Sequence, residues 1–528
     1  MQYRAQSLPS RRVLPSWRVL PSRRVLASGR GVLVLGAAAG LVLGTGAGMA
    51  SAQTQTAMAQ TAGAQSAGAA TSAWHKAIEV PGSAALNTAG DAGIDSVSCG
   101  ASGDCLATGV FSAPANHDHP FLVTQSRGKW GQAQRVVGMP GLDRGNNAEI
   151  SSASCTSPGN CTIGGFYEDR ADQQHAWVAS QVRGKWARAR QLPGMAALTK
   201  GNRSTVGSLS CTSIGNCSAE GSYIDSKGNT QPFVVSEVKG TWRDIQPVPG
   251  LAALATAGSA TMNALSCHSA GNCSAGGNYE DGQFNQDGYV VSQVNGTWRQ
   301  AEAIPGLKAL NTGGGAVVSS VACGSAGNCV AGGNYIDVPG DRFTFVVSQV
   351  NGTWGTAQQV PGMAGVVKGG FGQVDTLACS TAGNCAVGGI AGDNNGFDIN
   401  GGGQAFVATE TSGTWGKAEL VPGTARLNTG VDGGSTTLSC PHAGDCTVAG
   451  YYGLGAAGQK VYNMEAFVDS QTSGKWGQAQ LIPGLAALDK KHNDFIGEVS
   501  CPAQGHCSAG GGYSPSTNHG QAFVTSQT

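Results

Sequence analysis

The sequence predicts an all-β fold: an eight-bladed β-propeller of four-stranded antiparallel blades, closed by the N-terminal strand completing the last blade. Three observations predict it. A repeat is marked by paired cysteines and a tryptophan, each copy holds four strand-like runs, and one copy is split between the chain ends.

Sixteen cysteines fall into eight C-x5-C pairs: Cys99/Cys105, Cys155/Cys161, Cys211/Cys217, Cys267/Cys273, Cys323/Cys329, Cys379/Cys385, Cys440/Cys446 and Cys501/Cys507. Successive pairs lie 56 residues apart five times and then 61 apart twice. Trp74, Trp130, Trp186, Trp242, Trp298, Trp354, Trp415 and Trp476 keep the same interval. A fixed period marks a repeat architecture and overrides the several-domain expectation that 528 residues would otherwise raise.

The stretch Val317 to Gly362 shows the unit. Val317–Ala322 and Val330–Tyr335 flank the cysteine turn, Phe343–Val350 is an alternating β-branched run, and Trp354–Val360 ends at Pro361-Gly362. Asn351-Gly352 is a strong two-residue hairpin signal, and no helical periodicity intervenes. These runs are strands A to D, and four short strands per unit suit propeller blades. The cysteines are expected to form a disulfide across five turn residues, Gly324 to Asn328, as a staple for each blade. A zinc site is a poor alternative, because structural zinc prefers two to four residues between cysteines and needs four ligands.

The termini supply the closure. Trp74 to Gly82 reads as a D strand with no A, B or C before it, and Gln521 to Thr528 as a C strand with no D after it. An open solenoid gains nothing from such a split, whereas a ring loses an exposed edge. Residues 74–528 are therefore assigned to the propeller.

Residues 1–52 read as a signal peptide. Arg4, Arg11, Arg12, Arg18, Arg23, Arg24 and Arg30 precede or enter an apolar run from Gly31 to Ala50, and Ala50-Ser51-Ala52 is a small-x-small cleavage pattern. Ser22-Arg23-Arg24-Val25-Leu26 partly matches a twin-arginine signal, so both export routes stay open, as does an uncleaved anchor. Residues 53–73, rich in Ala, Gln, Thr and Gly, read as a flexible linker. A secreted, extracellular location follows, without a membrane span after cleavage, and an even cysteine count fits an oxidising compartment. Charged residues are 12% of the chain and Lys+Arg balances Asp+Glu at 32 each, which excludes a general nucleic-acid footprint. Nothing implies a cofactor or a second copy.

Alternating strand direction places the A–B and C–D turns on one face and the B–C and D–A connections on the other. The first face is uniform between units. The second carries longer polar loops that differ, and loops on a rigid scaffold are where function concentrates. Four units carry Tyr-x-Asp after strand B: Tyr167/Asp169, Tyr223/Asp225, Tyr279/Asp281 and Tyr335/Asp337. An aromatic face with a carboxylate suits sugar binding; the competing reading is Tyr packing between blades with Asp closing a turn. Glu498 stands where the other units carry Ser96, Ser152, Ser208, Ala264, Ser320, Thr376 and Thr437. With Asp494 and Asp95 it is a candidate catalytic acid, or a solvated carboxylate at a channel mouth. His117, His119, His492 and His519 would share one sector and are candidate metal ligands, against the commonplace of exposed loop histidines.

The unit resembles that of a family of exported actinobacterial repeat proteins, regarded as propellers, with Ser-Val-Ser-Cys…Gly-x-Cys-x-Ala-x-Gly, as at Ser96–Cys99 and Gly103–Gly109. The resemblance covers Trp74 onward and implies the repeat, not an activity. Such proteins are likened to sialidases, but no unit here has the Ser-x-Asp-x-Gly-x-x-Trp box. Arg144, Arg170, Arg203, Arg342 and Arg426 match no arginine triad. The sequence thus points to a non-catalytic, monomeric binding protein. Its expected partner is a carbohydrate or protein at the cell envelope, met through the B–C and D–A face. A polysaccharide hydrolase or lyase using loop carboxylates is the alternative, and a structural surface protein the third.

Overall fold

The computed structural model describes residues 73–527 except 115–116, 200–202, 338–339, 368–369, 394–402, 429–432, 455–462 and 517–518. The expected signal peptide, and the linker apart from Ala73, lie outside the described residues.

The fold is all-β, built of repeated antiparallel sheets, one for each repeat unit except that the sheets of units 5 and 6 are joined by one parallel bridge, Arg342 opposite Phe371. Unit 3 is representative. Strands A (Ser204–Ser213), B (Asn216–Ile224) and C (Thr230–Val238) pair in order, and the outer D strand adds two short pieces, Thr241–Trp242 and Gln246–Pro247, both on C. The D run is thus not one continuous strand. The N-terminal strand (Ile78–Glu79) pairs with the C strand of unit 8 (His519–Ser526), Ile78 opposite Val524 and Glu79 opposite Phe523. The last sheet is therefore completed from the other end of the chain.

The C strands do not alternate as the sequence suggested. In unit 5, Thr344 to Val347 are all buried, because neighbouring sheets cover both faces of the strand. The cysteine turn is tighter than the five residues expected. Cys323 lies directly opposite Cys329, Ser325 opposite Asn328, and only Ala326-Gly327 turn, with Gly327 at φ 73°. The glycine ending the Ala-x-Gly motif has a steric reason. Strand A bulges between Val318 and Ser320, and a Cβ on Gly333 would lie 1.9 Å from the Val317 carbonyl oxygen.

All eight expected disulfides are present, with Cα atoms 4.0 to 4.1 Å apart. Each joins strand A to strand B where expected, and it is also partly buried. The second cysteine of every pair is buried: Cys105, Cys161, Cys217, Cys273, Cys329, Cys385, Cys446 and Cys507. Each opens strand B, which is flanked by A and C and covered by the neighbouring sheets. Cys385, Cys446 and Cys507 accordingly join apolar clusters between units, and Cys105 is buried next to Leu106 and Ala107. Cys507 Sγ also lies 3.5 Å from Thr447 Oγ1 of the preceding unit, as Cys217 Sγ does from Thr162 Oγ1. The bridge is therefore part of the packing between sheets as well as a clip within one.

The D–A connections also depart from the long polar loops expected. Each begins with one helical turn, such as Leu251–Leu254 or Met363–Val366, whose first residue is buried. Pro-Gly, read as a strand terminator, is where this turn starts, with Gly250 at φ 76°. A single turn is too short to leave a 3.6-residue period in the sequence.

Sheets are joined by a repeated set of bonds. The serine before the first cysteine accepts from the next unit's cysteine N–H: Cys155 to Ser98, Cys211 to Ser154, Cys267 to Ser210, Cys323 to Ser266 and Cys501 to Ser439. Cys99 N–H donates to Ser500 in the same way, which links unit 8 to unit 1. A second bond reaches across from strand C. The Gln293 amide donates to Ser236 Oγ and its oxygen accepts from Ser218; Gln349 does the same with Ser292 and Ser274. Gln125 of unit 1 does it with Ser526 and Ser508 of unit 8. Core clusters likewise span successive units, and Val80, Ala522 and Val524 pack with Ile94, Phe111 and Phe121.

Candidate functional site

The strand C residue two before the buried central aromatic faces the D–A connection. In order it is His119, His175, Gln231, Asp287, Phe343, Gln404, Glu465 and Gln521. Six residues on, at the opposite end of the same strand, stand Gln125, Gln181, Glu237, Gln293, Gln349, Glu410, Gln471 and Gln527. One end is chemically diverse and the other nearly constant, which gives the two-face division a concrete position.

Around that diverse position the neighbours also differ. In unit 1, His119 Nδ1 lies 3.2 Å from Asp143 Oδ2, while Asp143 Oδ1 accepts from Asn147 N–H at 2.8 Å. Asp143 follows the helical turn Met139–Leu142, so the D–A connection is pinned to the start of strand C. Arg135 lies 4.9 Å over the Phe111 ring. Together His119, Arg135, Asp143 and Asn146 line a pocket of about 220 Å³. In unit 4, Asp287 takes a 2.7 Å bond from Asn311. In unit 7, Glu465 accepts from Tyr452 and meets His492 Nδ1 at 2.7 Å.

The Tyr-x-Asp residues fall into structural places. Tyr167, Tyr223, Tyr279 and Tyr335 are buried, so no ring face is open for stacking on a sugar. Burial, with the adjacent Asp, raises each phenol, Tyr279 to about 12. The Asp carboxylates close turns: Asp169 accepts from Ala171 and Gln173, Asp225 from Lys227 and Asn229, Asp281 from Gln283 and Asn285, Asp337 from Asp341. This is the turn-closing geometry expected of an Asp side chain, and it replaces the sugar-binding expectation for these eight residues.

Glu498 spans the junction between units 8 and 1. Its Oε2 accepts from Ser96 Oγ at 2.6 Å and Val97 N–H at 2.9 Å. Elsewhere a hydroxyl takes the same N–H, Ser152 from Leu209 and Thr437 from Val499. Burial lifts the Glu498 carboxyl to about 7. Asp494 is buried and accepts from Ala466 N–H; burial, then Asp489 and Glu465, push it up to about 8. Asp95 is exposed on strand A of unit 1. The first two are thus held by the backbone rather than solvated, and the three do not form a paired catalytic set.

The four histidines are not brought onto one point. His119 is engaged with Asp143, His492 with Glu465, His117 lies opposite Ala113, and His519 packs beside Gly90. Among the described residues no three potential ligands converge as a metal site would require.

Sequence reasoning missed a wide cleft. It holds about 1000 Å³ between units 2 and 3 and opens beside the uniform A–B and C–D turns. The signal that marks it is local departure from the repeat. Arg188, Arg190 and Lys239 stand where units 4 and 5 carry Gln300, Glu302 and Asn295, then Thr356, Gln358 and Asn351.

No helix among the described residues is long and apolar enough to cross a membrane. No protein-family model matches the chain. No curated protein matches it either. Solved structures do. A Hadza microbial sialidase aligns over 85% of this chain and 68% of its own, at 9% identity and a TM-score of 0.38. A protein of unknown function from Dyadobacter fermentans aligns over 87% and 100%, at 8% identity and a TM-score of 0.31. A subtype N11 neuraminidase-like protein from A/flat-faced bat/Peru aligns over 78% and 96%, at 10% identity and a TM-score of 0.36. Superposition this loose bears on neither activity nor ligand.

Proposed function

We propose that the chain is an exported, non-catalytic binding protein, a closed eight-bladed propeller that recognises a carbohydrate or protein of the cell envelope through its B–C and D–A face. One observation carries this reading. A single strand C position carries five residue types over the eight units on that face, His, Gln, Asp, Phe and Glu, while the opposite end of the same strand is only Gln or Glu. A scaffold whose strand C residues vary more at one end than at the other is suited to presenting the varied end. The ring closure is supported by the unit 8 to unit 1 bonds, which repeat those at the other junctions. The unit 1 pocket, with His119, Arg135 and Asp143, is the best-formed place for a ligand there. A glycan array and an envelope pull-down test the reading, with His119→Ala and Arg135→Ala lowering capture. A folded sample that captures nothing refutes it.

A hydrolase reading retains one supporting observation, Asp494 near Glu465, its carboxyl pushed up to about 8 by burial and by the acids around it. Turnover of an envelope polysaccharide that is lost in Asp494→Asn, with the fold intact, would select it over the binding reading.

A further inference from the structure

The cleft between units 2 and 3 lies on the face opposite the proposed recognition surface. Its rim carries Lys185, Arg188 and Arg190 from the outer strand of unit 2 and Lys239 from the C–D turn of unit 3. All four are exposed. Among the described residues no carboxylate lies within ion-pair distance of any of them; burial raises the Glu237 carboxyl, and nearby Arg190 offsets part of that rise. The chain as a whole is balanced, 32 basic against 32 acidic residues, so positive charge gathered at one cleft is a local feature.

The repeat does not require this charge. At the place of Lys239 units 4 and 5 use Asn295 and Asn351, and at that of Lys185 they use Thr297 and Thr353. Lys239 is held at φ 51°, a left-handed conformation that asparagine tolerates better than lysine. Units 1 and 2 also hold a basic residue there, Arg127 at φ 49° and Arg183 at φ 51°, so what sets this cleft apart is that Lys239 meets Arg188 and Arg190 across one cavity.

The floor departs from the repeat as well. Glu237 replaces the usual Gln, is 4% exposed, and its Oε2 has no hydrogen-bond partner. Gln181 also lines the cleft, 6% exposed, with its Oε1 unpartnered. Two orphaned acceptors suit hydroxyl or amine donors, and four exposed cations gathered at one rim favour an anion. A saccharide that carries carboxylate or phosphate groups supplies both from one molecule. Simple inorganic anions would leave the acceptors unmet, and neutral sugars would leave the cations unmet.

We propose that this cleft is a second binding site, for an acidic glycan, with Lys185, Arg188, Arg190 and Lys239 holding its anionic groups and Glu237 and Gln181 accepting from its hydroxyls. The site goes beyond the proposed recognition face and stands or falls separately from it.

The test measures binding of the full chain to oligogalacturonate, phosphomannan and neutral malto-oligosaccharides by calorimetry at two salt concentrations. The variant is Arg188→Gln, Arg190→Gln and Lys239→Asn together, each a residue that a sister unit holds at that place. Expected are binding of a carboxylated or phosphorylated oligosaccharide, weakening with salt, and a loss of at least about tenfold in the variant, equal to roughly 1.4 kcal/mol. The proposal is overturned if neither acidic probe binds, if the neutral sugar binds equally, or if the variant keeps its affinity. His119→Ala and Arg135→Ala on the other face leave this binding unchanged, which separates failure of one site from failure of the other.

Discussion

Removing the Glu498 carboxylate tests the junction between units 8 and 1. In Glu498→Ala, Ser96 Oγ and Val97 N–H lose an acceptor that now sits 2.6 and 2.9 Å away. Both donors belong to buried residues, Ser96 at 5% and Val97 at 1% exposure, so water does not readily replace the partner. A stranded buried donor costs about 1–3 kcal/mol, and the serine hydroxyl can turn elsewhere, so the whole loss is roughly 2–4 kcal/mol. Ser152→Ala, which strands only Leu209 N–H, is the internal reference and loses about 1–2 kcal/mol. Glu498→Gln keeps an acceptor and loses less than either. The pH dependence has a definite sign. The folded carboxyl titrates at about 7, above its unfolded value of about 4.3, so the fold binds the extra proton. That contribution is complete below the unfolded value and is lost as pH rises through about 7, at up to roughly 1.4 kcal/mol per unit. Glu498→Gln removes this part of the slope. The assay is urea unfolding of the oxidised chain at several pH values between 4 and 8. An alanine variant with the wild-type midpoint, or a glutamine variant with the wild-type slope, refutes the reasoning.

Three further outcomes are expected. Asp494→Asn flattens the loss of stability that accompanies a rise in pH from about 4 towards 8, because the folded carboxyl titrates at about 8; stability curves of the two proteins that coincide across that range would count against it. Ala322→Ser supplies the hydroxyl that Ser266 and its equivalents offer to the next cysteine N–H, here that of Cys379, and stabilises by about 0.5–1.5 kcal/mol in thermal melts. Replacing Cys211 and Cys217 by alanine removes a short-loop bridge, costs about 2 kcal/mol, and leaves far-ultraviolet circular dichroism native; global loss of β structure would show that the bridge is needed for folding itself.

How much of this was legible in the sequence varies residue by residue. The cysteine pairs, the strand order and the strand completed from the other terminus follow from spacing alone, because they are local or periodic. That Cys105, Cys385, Cys446 and Cys507 are buried does not follow from spacing, since the cover comes from the neighbouring units. The single helical turn after Pro-Gly left no period to detect, and the split D strand gave no sign beyond the residues between its two pieces. The site was harder. Tyr167 and its equivalents look the same in sequence whether the ring faces a sugar or the next sheet, and only burial decides.

The sequence by itself determined the unit, its eight copies, its disulfide bridges and the sides on which its connections lie, since each depends on chain direction and near neighbours. Tertiary structure decided what meets between units. Glu498 read as an acid in want of a substrate until Ser96 and Val97, some four hundred residues away, were placed against it. The basic cleft is invisible for the same reason: Arg190 and Lys239 become neighbours of one cavity only when two sheets stack. Repetition fixes a fold from short-range information. A site at a junction draws on two copies at once, and no single copy contains it.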